Sequence, residues 1–176
     1  MKLGEAYLLL TIVLALAGWL FFKASPWLQS FRRNRWTTLI FLSAVIVWLT
    51  WHLWHLSEAD ILGLPRSWVM GFILIPCLLS YYFMPDFLAV RCLGALMLFT
   101  ARAVLDAGYG HLPHSLWAAS VSYGILVLFG LWWAASPVAF NQHCDALLKS
   151  ASRHKTVGGL LFLCSAVSLY QFIKLS

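Results

Sequence analysis

Long apolar runs, broken only by short polar clusters, set the pattern of this chain. The runs last roughly 17 to 22 residues, the length an α-helix needs to cross about 30 Å of hydrocarbon. They do not alternate apolar with polar, as the strands of a membrane β-barrel would. The pattern therefore predicts an all-α polytopic transmembrane helical bundle, a single integral membrane domain over residues 1–176. Six spans are expected, near 6–22, 36–56, 68–84, 87–107, 116–139 and 157–173. Pro76 falls inside the third and is expected to kink it by removing a backbone donor. Spans three and four are joined by little more than "MPD", which implies a tight antiparallel hairpin.

Composition strengthens this picture. The chain is 62% hydrophobic and 10% charged, against about 25% charged in a soluble domain. Its net charge of +6 is explained by basic loops on one membrane face. Nucleic acid is not an expected partner, because the arginines of "FRRNRW" have no folded domain around them. With the N-terminus outside, Lys23, Arg32, Arg33, Arg35, Arg91, Lys149, Arg153 and Lys155 lie inside. Lys2, Arg66, Arg102 and Lys174 then lie outside, so both termini are expected on the non-cytoplasmic side. "LALAG" near the start has a poor leader context and is read as part of a retained helix. Tryptophans at 27, 36, 51, 54, 68 and 117 fall near span ends, where an aromatic belt accounts for them. The cysteines, Cys77, Cys92, Cys144 and Cys164, form no close motif and imply no disulfide.

Two segments look alike. "GWLFFKASPWLQSF" closes span one and "GLWWAASPVAFNQH" closes span five, each with Ser-Pro (Ser25-Pro26 and Ser136-Pro137) followed by a basic stretch. A parallel repeat of the first and last hairpins, about an axis along the membrane normal, would produce this. The later segment, "SPVAFNQHCDALLKSASRHKTVGGLL", within residues 130–173, resembles the hairpin of small two-helix bacterial inner-membrane proteins. The matching residues are Pro137, Lys149, Arg153, Gly158 and Gly159. That family has no settled activity, so the resemblance implies a bacterial accessory membrane protein and no catalytic residue. The connector "NQHCDALLKSASRHK" reads as an amphipathic stretch on the inner surface, its basic residues facing anionic headgroups. His143, Cys144 and Asp145 match a catalytic trio in composition only, because neighbouring helical residues point apart.

Candidate chemistry collects near the outer face. In "WLTWHLWHLSEAD", Trp48, Trp51, His52 and His55 share a helix face at about 100° per residue. His52 lies roughly 24 Å along span two, and Glu58 is one turn beyond His55, with Asp60 close behind. His111 and His114, in "GHLPH", are expected on the same side. His52, His55, His111 and His114 would then offer nitrogen ligands for zinc, copper or nickel. A bis-histidine haem is less well served, because only span two offers histidines near membrane depth.

Span four carries Arg91, Ala95, Leu98, Arg102 and Asp106 on one stripe. Arg91 is close enough to the inner boundary to snorkel. Arg102, roughly 22 Å along the helix, is expected to pair with Asp106 at i+4. Gly94 and Ala95 leave room for a close helix contact. The stripe fits a buried ion-pair lock between helices, an anion or lipid-phosphate site drawn from Arg102, Asp106, Arg91 and Glu58, or a transport path.

The leading expectation is a non-enzymatic accessory or structural subunit of a larger bacterial membrane assembly, its partners the bilayer and other membrane subunits. No resident cofactor is firmly implied. The alternative is a small transporter or a metal-, haem- or lipid-binding membrane protein using the outer His/Arg/acidic cluster. A third is an intramembrane lipid enzyme, with Arg102 holding a phosphate and a histidine doing acid–base work.

Overall fold

A computed structural model describes residues 2–23, 31, 34–56, 64–83 and 85–175. Among these the secondary structure is helical, in the order α1 (Leu3–Phe22), α2 (Arg35–Trp54), α3 (Arg66–Phe83), α4 (Pro85–Gly108), α5 (Leu116–Ala135), α6 (Pro137–Leu148) and α7 (Ala151–Leu175). All but α6 are long and apolar enough to cross a membrane. The expected all-α bundle of six spans is therefore the observed one.

Local chemistry sets the helix ends. The backbone N–H of Lys2 donates to Glu5 Oε2 at 2.9 Å, which closes the start of α1. Asn34 Oδ1 accepts from the Trp36 N–H at 3.0 Å and caps α2. Ser136 leaves the helical region (φ −129°, ψ 86°) ahead of Pro137 at the first turn of α6. Span five thus ends at Ala135, short of the expected 139. The apolar "PVAF" belongs to a separate helix, because a residue before proline is driven out of helical geometry. Span six starts at Ala151, earlier than the expected 157. Arg153 and Lys155 mark where charge begins, and charge does not stop a helix.

The α1–α7 contact is the most extensive in the fold. It is antiparallel, since Gly4 lies beside Phe172 and Gly18 beside Gly158. A Cβ on Gly18 would lie 3.1 Å from Gly158 O, and one on Gly94 would lie 2.7 Å from Gly130 O. Two glycine crossings thus bring α1 against α7 and α4 against α5, the close approach that small residues allow in membranes. Gly94 fulfils its expected role. Helix α2 runs parallel to α4, with Leu42 and Val45 against Leu88 and Cys92, and Trp48 stacked on Phe99 at 6.2 Å.

Three apolar clusters result. Tyr7, Leu10, Leu14, Val104 and Leu126 belong to the largest. Phe31, Val90, Phe140 and Cys144 form a second, at the opposite end of the bundle from Tyr7. The third lies between α2 and α4. Helix α3 meets the third cluster only at its edge, through the partly buried Tyr81. It is continuous through Pro76 and contains no buried residue. Within α5, residues Ser122–Val127 form a π-helical turn, and the buried Ser122 Oγ has no hydrogen-bond partner among the described residues. The Ser25-Pro26 half of the expected repeat lies outside the described residues.

Candidate functional site

Arg102 and Asp106 of α4 reach the surface at the Tyr7 end. Arg102 Nε meets Asp106 Oδ2 at 3.5 Å, one helical turn apart, with the side chains 60% and 72% exposed. The expected pair forms, but it is not a buried lock between helices. It lies on the outward face of α4, while Ala101 and Val104 take the inward positions. Arg91, on the same stripe, is also exposed and engages other groups of the chain.

After Gly108 the chain turns tightly. Gly110 adopts φ 78°, a conformation open to glycine at little cost, and the Leu112–Pro113 peptide is cis. The His111 N–H donates to Gly108 O at 3.1 Å and the Ser115 N–H to His111 O at 3.1 Å. The wholly buried Tyr7 donates its hydroxyl to His114 O, so α1 holds the turn from beneath. Trp117 Nε1 donates to Ser168 Oγ at 3.1 Å, and Ser165 Oγ donates to Thr11 O at 2.9 Å. These bonds tie the start of α5 and the middle of α1 to the C-terminal half of α7.

The turn and the adjoining helix ends form an open cleft of about 520 Å³. Asp106, Tyr109 and Gly110, at the end of α4 and in the turn, line it together with Leu105 of α4 and Ala119 and Tyr123 of α5. Sequence reasoning missed Tyr109 and Tyr123. Tyr109 had a signal, since it follows Arg102 and Asp106 at i+7 and i+3 on one face.

The histidines do not assemble as expected. His55 Nδ1 is 2.8 Å from Trp51 O, its ring lying 4.3 Å from the Trp51 ring. His111 Nδ1 is 3.0 Å from Tyr109 O. His52 and His55 stay at the end of α2, and His111 and His114 stay in the turn. Among the described residues no group of three or more His, Cys, Asp or Glu side chains is placed to hold a metal ion. The physical reason is local, in that each bonded ring is held by a carbonyl of its own segment. Trp48 also parts from the expected face, since it turns to Phe99 while Trp51 is exposed. Glu58 and Asp60 lie outside the described residues. Arg66 Nη2 donates to Leu56 O at 3.0 Å and ties α3 to the end of α2.

A second polar cluster occupies the opposite end. Trp133 Nε1 donates to His143 Nδ1 at 3.2 Å, and the Trp132 ring stands edge-on to the imidazole at 4.8 Å. His143 thus bridges α6 to α5. Cys144 turns into the Phe31–Phe140 cluster, and Asp145 is exposed. The three neighbours diverge, as expected of adjacent helical positions. Burial, with the Asp145 charge adding to it, pushes the Cys144 thiol up to about 12, which leaves it un-ionised and poorly nucleophilic. His154 is buried, its Nδ1 without a partner among the described residues.

No protein family, curated protein or solved structure matches this chain.

Proposed function

We propose that the protein is a non-enzymatic accessory subunit of a larger bacterial inner-membrane assembly, contacting its neighbours laterally through α3. One observation carries this reading. Trp68, Phe72, Ile75, Leu79 and Tyr82 are all exposed and recur at spacings of four, three, four and three residues. That is the seam spacing by which one helix packs knobs into another, and here it runs along a span with no fully buried residue. Hydrocarbon supplies no hydrophobic drive for helix association, so a membrane helix gains its packing from matched side-chain contact. A second polypeptide laid on this stripe would give α3 the packing its own bundle does not.

The bacterial assignment is supported by the resemblance of residues 130–173 to two-helix inner-membrane proteins. The excess of lysine and arginine on one set of loops supports placing both termini outside the cytoplasm.

The test is native mass spectrometry of the tagged full chain, extracted gently from its own membrane. The expected mass is that of the chain plus a second polypeptide at fixed stoichiometry, released by the double substitution Phe72→Ala, Tyr82→Ala. A lone chain, or a complex indifferent to those substitutions, overturns the proposal. Reporter fusions at both termini test the orientation separately.

A further inference from the structure

We propose that the Arg102–Asp106 pair and the adjoining cleft form a docking site for a zwitterionic phospholipid whose headgroup carries a primary amine. This goes beyond the subunit assignment and does not depend on it.

The argument begins with the order of the charges. Helix α4 ends at Gly108, so Arg102 lies about 9 Å inside that end and Asp106 about 3 Å inside it. The cation is the deeper of the two and the anion the shallower, whichever face of the membrane this end meets. A phospholipid carries its charges in the matching order. Its phosphate is next to the glycerol and acyl chains, and its ammonium is further out, beyond a two-carbon link. Arg102 would meet the phosphate and Asp106 the ammonium, about 6 Å apart along the helix. The reverse order of residues would oppose both contacts.

The existing ion pair leaves room for this exchange. It is a single contact through Nε and Oδ2 at 3.5 Å, between two exposed side chains. An exposed i,i+4 pair contributes little to stability, so a headgroup can replace it at little cost. The guanidinium keeps its paired terminal N–H groups, the geometry that suits phosphate oxygens.

The cleft supplies the rest of an amphiphile's surface. Leu105, Ala119 and Tyr123 give it an apolar and aromatic side. On α5, Ala119 and Tyr123 are one turn apart, about 6 Å along the helix, a length suited to the uppermost part of an acyl chain. Tyr109, at the rim, adds an aromatic face and a hydroxyl at headgroup level, where such residues concentrate. A primary ammonium fits better than a trimethylated one, because the Asp106 carboxylate accepts N–H hydrogen bonds that trimethylammonium does not donate. A purely anionic headgroup would meet Arg102 but would also face the Asp106 charge.

The experiment uses the delipidated full chain in a mild detergent, offered an equimolar mixture of phosphatidylethanolamine, phosphatidylcholine and phosphatidylglycerol. Bound lipid is counted by native mass spectrometry. Phosphatidylethanolamine is expected to be retained about tenfold over either competitor, the scale of hydrogen bonds to charged groups. Asp106→Asn is expected to erase its advantage over phosphatidylcholine, and Arg102→Gln to weaken retention of all three lipids. The exchange Arg102→Asp with Asp106→Arg keeps an i,i+4 pair but inverts its order, and is expected to abolish the preference. Equal retention of the three lipids by the unaltered chain overturns the proposal. So does a preference that survives Asp106→Asn, which removes one charge from an exposed position and should not disturb folding. A preference for phosphatidylglycerol lost only in Arg102→Gln would show a plain anion site and overturn the assignment of the amine to Asp106. Loss of a protein partner leaves these outcomes unchanged, so failure of the subunit assignment is separable.

Discussion

Gly158 of α7 lies against the backbone of Phe22 in α1. A Cβ on Gly158 would fall 2.7 Å from Phe22 N and 2.9 Å from its Cα, whereas one on the neighbouring Gly159 would meet nothing within 4 Å. The pair tests whether backbone contact holds the first and last spans together. Gly158→Ala is expected to destabilise by about 1–3 kcal/mol, the usual cost of overpacking a site that cannot give. Gly159→Ala should be neutral, or stabilising by up to about 1 kcal/mol through helix propensity. Thermal unfolding of both variants in one detergent reads the difference. Equal behaviour would show that α1 and α7 are not in backbone contact.

Tyr7 reaches from α1 to the carbonyl of His114, linking the ends of the sequence span Tyr7–His114 through one buried hydroxyl. Tyr7→Phe keeps the ring and removes only that bond. The expected cost is about 0.5–1.5 kcal/mol. The turn between α4 and α5 should respond most, because Tyr7 anchors it from below. Hydrogen exchange by mass spectrometry should show faster exchange in peptides covering 109–116 and little change in α3. Unchanged exchange in that turn would remove the anchoring role.

Much of this architecture was legible in the sequence, for a reason specific to membranes. Hydrocarbon thickness fixes the length of an apolar run, so the six spans could be read without knowing how they pack. The break at Ser136 was also written there, as a residue preceding proline, but the apolar "PVAF" after it hid the boundary. The pairing of Arg102 with Asp106 followed from i+4 spacing. Its outward direction did not, because apolar residues flank Arg102 on every face of α4 and periodicity is silent when both sides are hydrophobic. The four histidines misled for a related reason. Shared sidedness places residues at one end of a bundle without placing them within ligand distance, and local carbonyls held His55 and His111 first. The π-helical turn at Ser122–Val127 had no signal at all, since it depends on how α5 packs on its neighbours.

Cys144 gives a pH-dependent prediction. Its thiol is buried, and its pKa is raised from 9.0 to about 12. An acid raised on folding is held in its neutral form. The associated stability is therefore complete below about pH 9 and is lost as pH rises from there towards 12. In a variant retaining only this cysteine, maleimide labelling at pH 8 should be far slower than in the SDS-unfolded chain. The thermal midpoint should fall above pH 9 more steeply than in Cys144→Ala. Labelling as fast as in the unfolded chain would place the thiol outside the Phe31–Phe140 cluster.

The Trp133–His143 bond fixes a tautomer. An indole N–H only donates, so His143 Nδ1 must accept, and the ring proton of the neutral imidazole resides on Nε2. This is testable without reference to function. Nitrogen NMR of histidine-labelled protein, at a pH where His143 is neutral, should show a protonated Nε2 and an unprotonated Nδ1. Trp133→Phe removes the donor while keeping most of the aromatic packing on Phe140, which the Trp133 ring meets edge-on at 4.9 Å. The variant is expected to lose about 1 kcal/mol and to let the His143 proton distribute over both nitrogens. Trp132→Phe, which leaves the hydrogen bond intact, should keep the Nε2 tautomer. If both variants shift it equally, ring packing rather than the hydrogen bond orients His143, and the tie between α5 and α6 is apolar in origin.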